Sequence, residues 1–274
     1  MDDVLGYAGK RAVVTGAASG MGAATVQVLT DLGAEVVGLD RAAIAGPVAQ
    51  AVEVDLLDPA SIAEAAGKIE GPVDAFFNSA GLPGPPFTDL ETMLVNFVGG
   101  RDLIERVVPL MPAGSSVTYV ASAAGIGWEG GLPVYTELFT TEGYDAGKAW
   151  LEAHAEVWEG NAYATSKQVI NAWTAWRSAT LMKDHGIRLN CTNPGPTTTA
   201  MMPFFHEAVG RELVDAAMGP VGRYSTAEEQ AWAMVLIGSP RASYVVGSSL
   251  YADGGFFGAL QTGQIDFSQL LPSE

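Results

Sequence analysis

The sequence predicts an α/β fold, a doubly wound parallel sheet in a single domain, and three observations carry that prediction. Short runs of buried-strand character alternate with segments of helical period along the 274 residues. A glycine-rich turn follows the first such run and opens a helix. Polar or turn-forming residues recur directly after strand ends, at Gly16, Asp40, Asn78, Ser122 and Pro194. Alternating strands and helices imply a parallel sheet covered on both faces, with ligands bound beyond the carboxyl ends of the strands.

Residues 11–15 (Arg-Ala-Val-Val-Thr) read as a buried strand, followed by Gly16-Ala17-Ala18-Ser19-Gly20-Met21-Gly22 and a helical stretch to about Leu32. A second strand at 35–39 ends at Asp40. Strand, glycine-rich turn, helix, strand and acid make a Rossmann-type unit. Its glycines let the backbone approach a pyrophosphate seated on the helix N-terminus. Gly16, Ser19, Gly20, Met21 and Gly22 are therefore cofactor-binding candidates. Asp40 selects the dinucleotide, because a carboxylate accepts hydrogen bonds from ribose hydroxyls and repels a 2′-phosphate. NAD is expected over NADP, although Arg41 could pair with such a phosphate.

Further on, residues 51–54 form a short strand leading into Asp55-Leu56, and 59–69 a helix. A strand at 73–77 ends in Asn78-Ser79-Ala80-Gly81, and 89–110 carries a helical pattern holding Asn96. A strand at 116–121 ends at Ser122. After a long helix come a strand at 187–192, Pro194-Gly195, helices at about 204–217 and 226–237, and a strand at 246–251. No linker or internal repeat divides the chain, so 1–274 is read as one domain.

The long helix opens with Asn161-Ala162-Tyr163-Ala164-Thr165-Ser166-Lys167 and reads as helical to about Lys183. Residues four apart share a helix face, so Tyr163 and Lys167 point into one space. A phenol with a pKa near ~10 is a poor base at neutral pH, and a nearby ammonium favours the phenolate. Tyr163 is thus placed to take a proton from an alcohol or return one to a carbonyl oxygen. Tyr144 and Lys148 repeat the spacing, but Gly143 flanks and Gly147 interrupts that segment, which costs helix stability.

Composition excludes several classes. With 48% hydrophobic and 16% charged residues the chain is globular, and a net charge of −17 argues against nucleic acid. No apolar run approaches the ~18 residues that span a bilayer. A single cysteine, Cys191, rules out an internal disulfide and fits a reducing, cytoplasmic setting. Three histidines and one cysteine offer no metal-type cluster, so no metal is expected.

Taken together, Thr15-Gly-x-x-x-Gly-x-Gly22, Asp55-Leu56, Asn78-x-Ala80-Gly81, Asn96, Ser122, Tyr163-x-x-x-Lys167, Pro194-Gly195 and Asp253-Gly254-Gly255 resemble the short-chain dehydrogenase/reductase family over about residues 8–255. The resemblance selects Tyr163 over Tyr144, since it carries Ser166 before its lysine and lies 31 residues before Pro194. It implies a catalytic set of Asn96, Ser122, Tyr163 and Lys167. Tyr163 would be the general acid/base, with Lys167 lowering its pKa and holding the nicotinamide ribose. Ser122 would orient the substrate oxygen, and Asn96 would hold a water linking Lys167 to solvent. The motifs Asp55-Leu56, Asn78-x-Ala80-Gly81 and Pro194-Gly195 would line the cofactor. Asp55 would meet the adenine amine, Asn78 and Gly81 the ribose side, and Thr197 and Thr199 the carboxamide.

Ser122 and Tyr163 are 41 residues apart, well beyond the family's usual spacing, which places a helical insertion within 126–160. Residues 145–158 have an apolar helical face, and His154 within it reads as a surface or packing residue. The insertion either walls the substrate pocket, with Trp128 as the nearest aromatic, or covers helical faces used for tetramers. It resembles the insertion of bacterial 3α-hydroxysteroid dehydrogenase/carbonyl reductases and of coniferyl-alcohol-type dehydrogenases. A dimer is expected over a tetramer. Met201, Met202 and Phe205 belong to a stretch that is either a lid over a large apolar ligand or a helix packed on the core. The extension 256–274 carries seven large apolar residues and is expected to dock, on this chain or a second copy.

The function so implied is NAD-dependent interconversion of a bulky, apolar alcohol and its carbonyl compound. An NADP-dependent carbonyl reductase is the alternative within the family. An extended sugar-nucleotide epimerase or dehydratase shares Tyr and Lys, but usually has a longer substrate domain and other glycine spacing. An NAD-binding sensor or scaffold on this fold usually loses a catalytic residue, whereas all four stand here.

Overall fold

The computed structural model describes residues 3–265. Its first half runs β1 (Arg11–Thr15), α1 (Gly20–Asp31), β2 (Glu35–Asp40), β3 (Gln50–Glu53), α2 (Pro59–Lys68), β4 (Ala75–Asn78), α3 (Asp89–Met93), α4 (Gly100–Val107) and β5 (Ser116–Val120). The second half runs α5 (Trp128–Phe139), α6 (Gly143–Ala153), α7 (Ala162–His185), β6 (Arg188–Pro194), β7 (Thr197–Thr198), α8 (Met202–Val209), α9 (Arg211–Ala216), β8 (Ser225–Thr226), α10 (Ala227–Gly238), β9 (Ser249–Ala252) and α11 (Phe256–Gln261). Seven strands form one parallel sheet in the order β3-β2-β1-β4-β5-β6-β9. The order reverses between β1 and β4, which opens a crevice at the carboxyl edge of the sheet.

Alternate side chains of each strand feed the two faces. Val13 and Phe76 join one apolar cluster, with Val117, Tyr119 and Trp173, while Val14 and Phe77 join the other, with Tyr7 and Met234. Both faces of β1 and β4 are buried, so these strands read as continuous apolar runs. Thr15 stitches their ends together at the crevice: its hydroxyl donates to Asn78 Oδ1 (2.7 Å) and accepts the backbone N–H groups of Ser79 and Ala80 (3.1 Å each).

Three expectations need correction. The pattern over 89–110 is not one regular helix, because Leu94–Gly99 widens into a π-helical stretch between α3 and α4. Tyr119 donates its hydroxyl to the Asn96 carbonyl at 2.7 Å within that stretch. The pattern over 204–217 is broken into α8 and α9 at Gly210, whose φ of 85° is open to glycine but strained for other residues. The last sheet strand is shorter than 246–251 and lies at 249–252, because Gly247 turns the chain with φ 69°.

The insertion is two helices, α5 and α6, where only the second was legible. Phe139 of α5 packs its ring 5.9 Å from Phe97 and 5.6 Å from Trp176, and Tyr135 donates to Gln168 of α7 at 2.7 Å. Arg101 of α4 is buried and donates to the Leu138 and Gly143 carbonyls and to Thr141, so it holds the turn between the two helices. Gly147 sits inside α6 despite its cost, since an added Cβ would lie 2.9 Å from Arg101 Nη2. Tyr144 and Lys148 share this helix but diverge. Tyr144 donates to the Leu57 carbonyl at 2.8 Å, while Lys148 faces Glu152 at the surface. His154 caps α6 and stacks on Trp150 at 4.3 Å. Of the extension, Phe256 and Ala259 are buried and Phe257 stacks on Tyr251 at 4.0 Å. Phe267, Leu270 and Leu271 lie outside the described residues.

Candidate active site

A cleft of about 350 Å³ opens at the carboxyl edge of the sheet where the strand order reverses. It brings together Gly16, Ser19, Gly20, Met21, Gly22, Asp40, Asp55, Leu56, Ala80, Gly81, Thr199 and Met201 of the anticipated residues. The glycines serve close approach: an added Cβ would fall 2.9 Å from Ala80 N at Gly16 and 2.1 Å from Gly16 O at Gly22. Helix α1 begins at the cleft without a side-chain cap and without an acid in its first turn. Its free N–H groups and dipole therefore suit an anion. Asp40 accepts from Ala18 N (3.0 Å) and Ala42 N (2.8 Å), so its carboxylate also shapes the glycine turn. Each carboxylate oxygen keeps a second lone pair for a ribose hydroxyl. Cradle, helix terminus and acid fit a dinucleotide.

The catalytic candidates meet beside this cleft, on the helix α7 side. Lys167 is buried, with Nζ 3.0 Å from the Val120 carbonyl and 5.7 Å from the Tyr163 ring centroid. Ser122 follows β5, accepts Ala124 N at 3.1 Å and favours the phenolate of the neighbouring Tyr163. Asn96 is fully buried. It accepts Leu82 N at 2.6 Å and donates to the Leu82 carbonyl and to Ser166 Oγ, tying the segment after β4 to α7.

Burial works against one expectation. It pushes the Tyr163 phenol above its ordinary pKa, and Ser122 only partly offsets this. The Lys167 ammonium turns to the Val120 carbonyl and is itself pushed down to about 8 by burial.

Several anticipated residues stand away from the cleft. Asn78 is fully buried beneath it and serves the Thr15 stitch, so its side chain does not reach the ribose side. Thr197 is buried and bonded to the Gly195 carbonyl and Ser225. Pro194 ends β6, and Gly195 lines a second cavity of about 210 Å³ behind its loop. Trp128 packs against the main core and Met202 is buried at the start of α8, neither lining the cleft. Phe205 lies with its ring 4.9 Å from that of Tyr163. Sequence reasoning missed Leu82, Pro83, Phe87 and Val95, which together with Phe204 of the anticipated lid stretch give the cleft an apolar end. The signal for Leu82, Pro83 and Phe87 was an apolar, proline-rich stretch directly after a strand end.

The comparisons agree with this geometry. A family profile described as NAD dependent epimerase/dehydratase matches residues 12–193, and one described as Enoyl-(Acyl carrier protein) reductase matches 147–257. The chain is similar to a coniferyl-alcohol dehydrogenase of Pseudomonas sp., 30% identical over 90% of this chain and 96% of that one. It is also 30% identical to the 3-alpha-hydroxysteroid dehydrogenase/carbonyl reductase of Comamonas testosteroni, over 89% of this chain and 95% of that one. Among solved structures, the 3-alpha-hydroxysteroid dehydrogenase of Pseudomonas sp. B-0831 complexed with NADH superposes with a TM-score of 0.78 at 25% identity, over 93% of this chain and 99% of that one. Sheet order, glycine cradle, the Ser122-Tyr163-Lys167 grouping and these relatives lead to one conclusion: the chain belongs to the short-chain dehydrogenase/reductase family.

Proposed function

We propose that the protein is an NAD-dependent dehydrogenase that interconverts a bulky, largely apolar alcohol and its carbonyl compound. The observation that carries this reading is the placement of the Tyr163 phenol near Ser122, with the Lys167 ammonium 5.7 Å from its ring centroid, beside a cradle that fits a dinucleotide. A dinucleotide bound there supplies the hydride acceptor or donor at its nicotinamide. Tyr163 takes the alcohol proton or returns one to the carbonyl oxygen, and Ser122 holds that oxygen in line. Lys167, charged below about pH 8, favours the phenolate as it forms. Asn96 fixes Leu82 against Ser166 and so keeps the segment after Gly81 close to Lys167.

The apolar cleft end formed by Leu82, Pro83, Phe87, Met201 and Phe204 supports a large uncharged substrate. The coniferyl-alcohol and hydroxysteroid relatives support an alcohol as its reacting group. Asp40 supports NAD, as does the NADH bound in the structural neighbour. Arg41 also lines the cleft and favours a second reading, an NADP-dependent reductase. The test is dinucleotide reduction at alkaline pH with NAD and with NADP, over a panel holding a 3α-hydroxysteroid, coniferyl alcohol, a terpenoid alcohol and an aryl-alkyl carbinol. Turnover of one class with NAD, lost in Tyr163→Phe, is the expected result. Turnover that survives Tyr163→Phe would remove Tyr163 from the mechanism.

A further inference from the structure

The segment that faces Tyr163 is held from behind by a small polar cluster. Phe205 on α8 crosses the Tyr163 ring at 4.9 Å and 60°. The next residue, His206, points the other way, with Nε2 2.9 Å from the Tyr224 hydroxyl. Tyr224 in turn donates that hydroxyl to Asp215 of α9. Since the single phenolic proton goes to Asp215, the Tyr224 oxygen accepts from His206, which must carry its proton on Nε2. The bonds run from His206 through Tyr224 to Asp215, and Arg211 approaches the other Asp215 oxygen at 3.6 Å. Burial and the Asp215 carboxylate push the Tyr224 phenol up to about 12, so it keeps its proton across the working pH range.

The partners belong to two bodies. Tyr224 is anchored to the frame: Arg223 donates to its carbonyl and pairs with Glu229 of α10 through two bonds, and Ser225 N bonds the Pro196 carbonyl. His206 and Asp215 sit on α8 and α9, which meet at Gly210 and carry exposed Phe204 and Val209. Little else of polar character fastens these two short helices, and Glu207 and Glu212 are exposed on them. Removing the Tyr224 hydroxyl would therefore release both helices at once.

We propose that Tyr224 is a positioning residue for the substrate: its hydroxyl fastens α8 and α9 to the frame and so holds Phe205 across the face of Tyr163. This rests on the dehydrogenase reading of the Tyr163 site. It assigns bulk selection at the reacting carbon to a residue that never touches substrate. An alcohol with a flat apolar body gains from the fixed Phe205 ring, whereas a small alcohol gains little.

The test uses the full chain with Tyr224→Phe, which keeps the ring, together with His206→Gln, which retains an N–H donor, and His206→Ala, which does not. One neutral and one charge-assisted hydrogen bond lost from one state shift its population by roughly 10-fold or more. Trypsin cleavage after the exposed Arg211, followed by fragment mass, should accelerate about that much in Tyr224→Phe, less in His206→Ala, which keeps the Tyr224–Asp215 bond, and least in His206→Gln. In the enzymatic arm, KM for the bulkiest alcohol turned over should rise about as much, with a smaller change in kcat and little change in KM for a small alcohol. Unchanged cleavage after Arg211 in Tyr224→Phe would overturn the fastening. Faster cleavage with an unchanged KM ratio would overturn the role in selection. If the native protein turns over no alcohol, the dehydrogenase reading fails, while the proteolysis arm still decides the fastening.

Discussion

Lys167 should make the protein less stable at neutral pH than at alkaline pH, and the size of that effect follows from its burial. The side chain is 5% exposed and its ammonium has the Val120 carbonyl as its partner, with no carboxylate in an ion pair among the described residues. Burial lowers its pKa from 10.5 to about 8. Below pH 8 both folded and unfolded chains carry the charge, and the folded state bears the full desolvation penalty. Between 8 and 10.5 the unfolded chain holds a proton that the folded chain has shed, so stability rises with pH. Above 10.5 the penalty is gone. The whole shift corresponds to about 3 kcal/mol, of which about 2 kcal/mol returns between pH 7.5 and 10. The perturbation is Lys167→Met in a Tyr163→Phe background, which removes the neighbouring phenol as a second titrating group. Urea unfolding of Tyr163→Phe and of the double variant, across that pH range, gives two stability curves. Lost packing and the Val120 carbonyl left without its donor do not vary with pH and cancel from the slope. The advantage of the double variant over the single one should shrink by about 2 kcal/mol as pH rises. A pH-independent gap would refute the desolvated ammonium and with it the tuning of Lys167 by burial.

Gly22→Ala places a Cβ against the Gly16 carbonyl, so NADH affinity measured by fluorescence should fall at least about 10-fold, beyond any loss of stability. Asp40→Ser removes the carboxylate that would repel a 2′-phosphate and leaves Arg41 free to pair with it. The NADP-to-NAD ratio of kcat/KM should then rise by about 10-fold or more, and an unchanged ratio would remove Asp40 as the selector. Because α5 covers Phe97, Gln168 and Trp176 within one chain, light scattering should show a dimer. A tetramer would mean that the covered faces are not the ones that set assembly.

Much of the site was legible because it rests on local chemistry. The spacing of Tyr163 and Lys167 is one turn of helix, and the glycines of residues 16–22 answer a backbone requirement that no other residue meets. Asp40 follows its strand directly. What was not legible depends on long-range packing. Nothing local distinguishes Asn78 as a buried partner of Thr15 from a ribose contact, because both require an amide after a strand. The opposing effect of burial on Tyr163 was hidden for the same reason: charge proximity is visible in a sequence, and desolvation is not.

By itself the sequence determined the alternating fold, the cradle, the phenol-lysine pair and the existence of an insertion, since each is written in residue type and period. Only the tertiary structure decided that the insertion is a second helix pair packed on α4 and α7 around Arg101. It alone also set Phe205 against Tyr163 and joined His206, Tyr224 and Asp215 behind it. These contacts join segments up to 42 residues apart, and their geometry depends on how whole helices settle on the sheet, which no local pattern encodes.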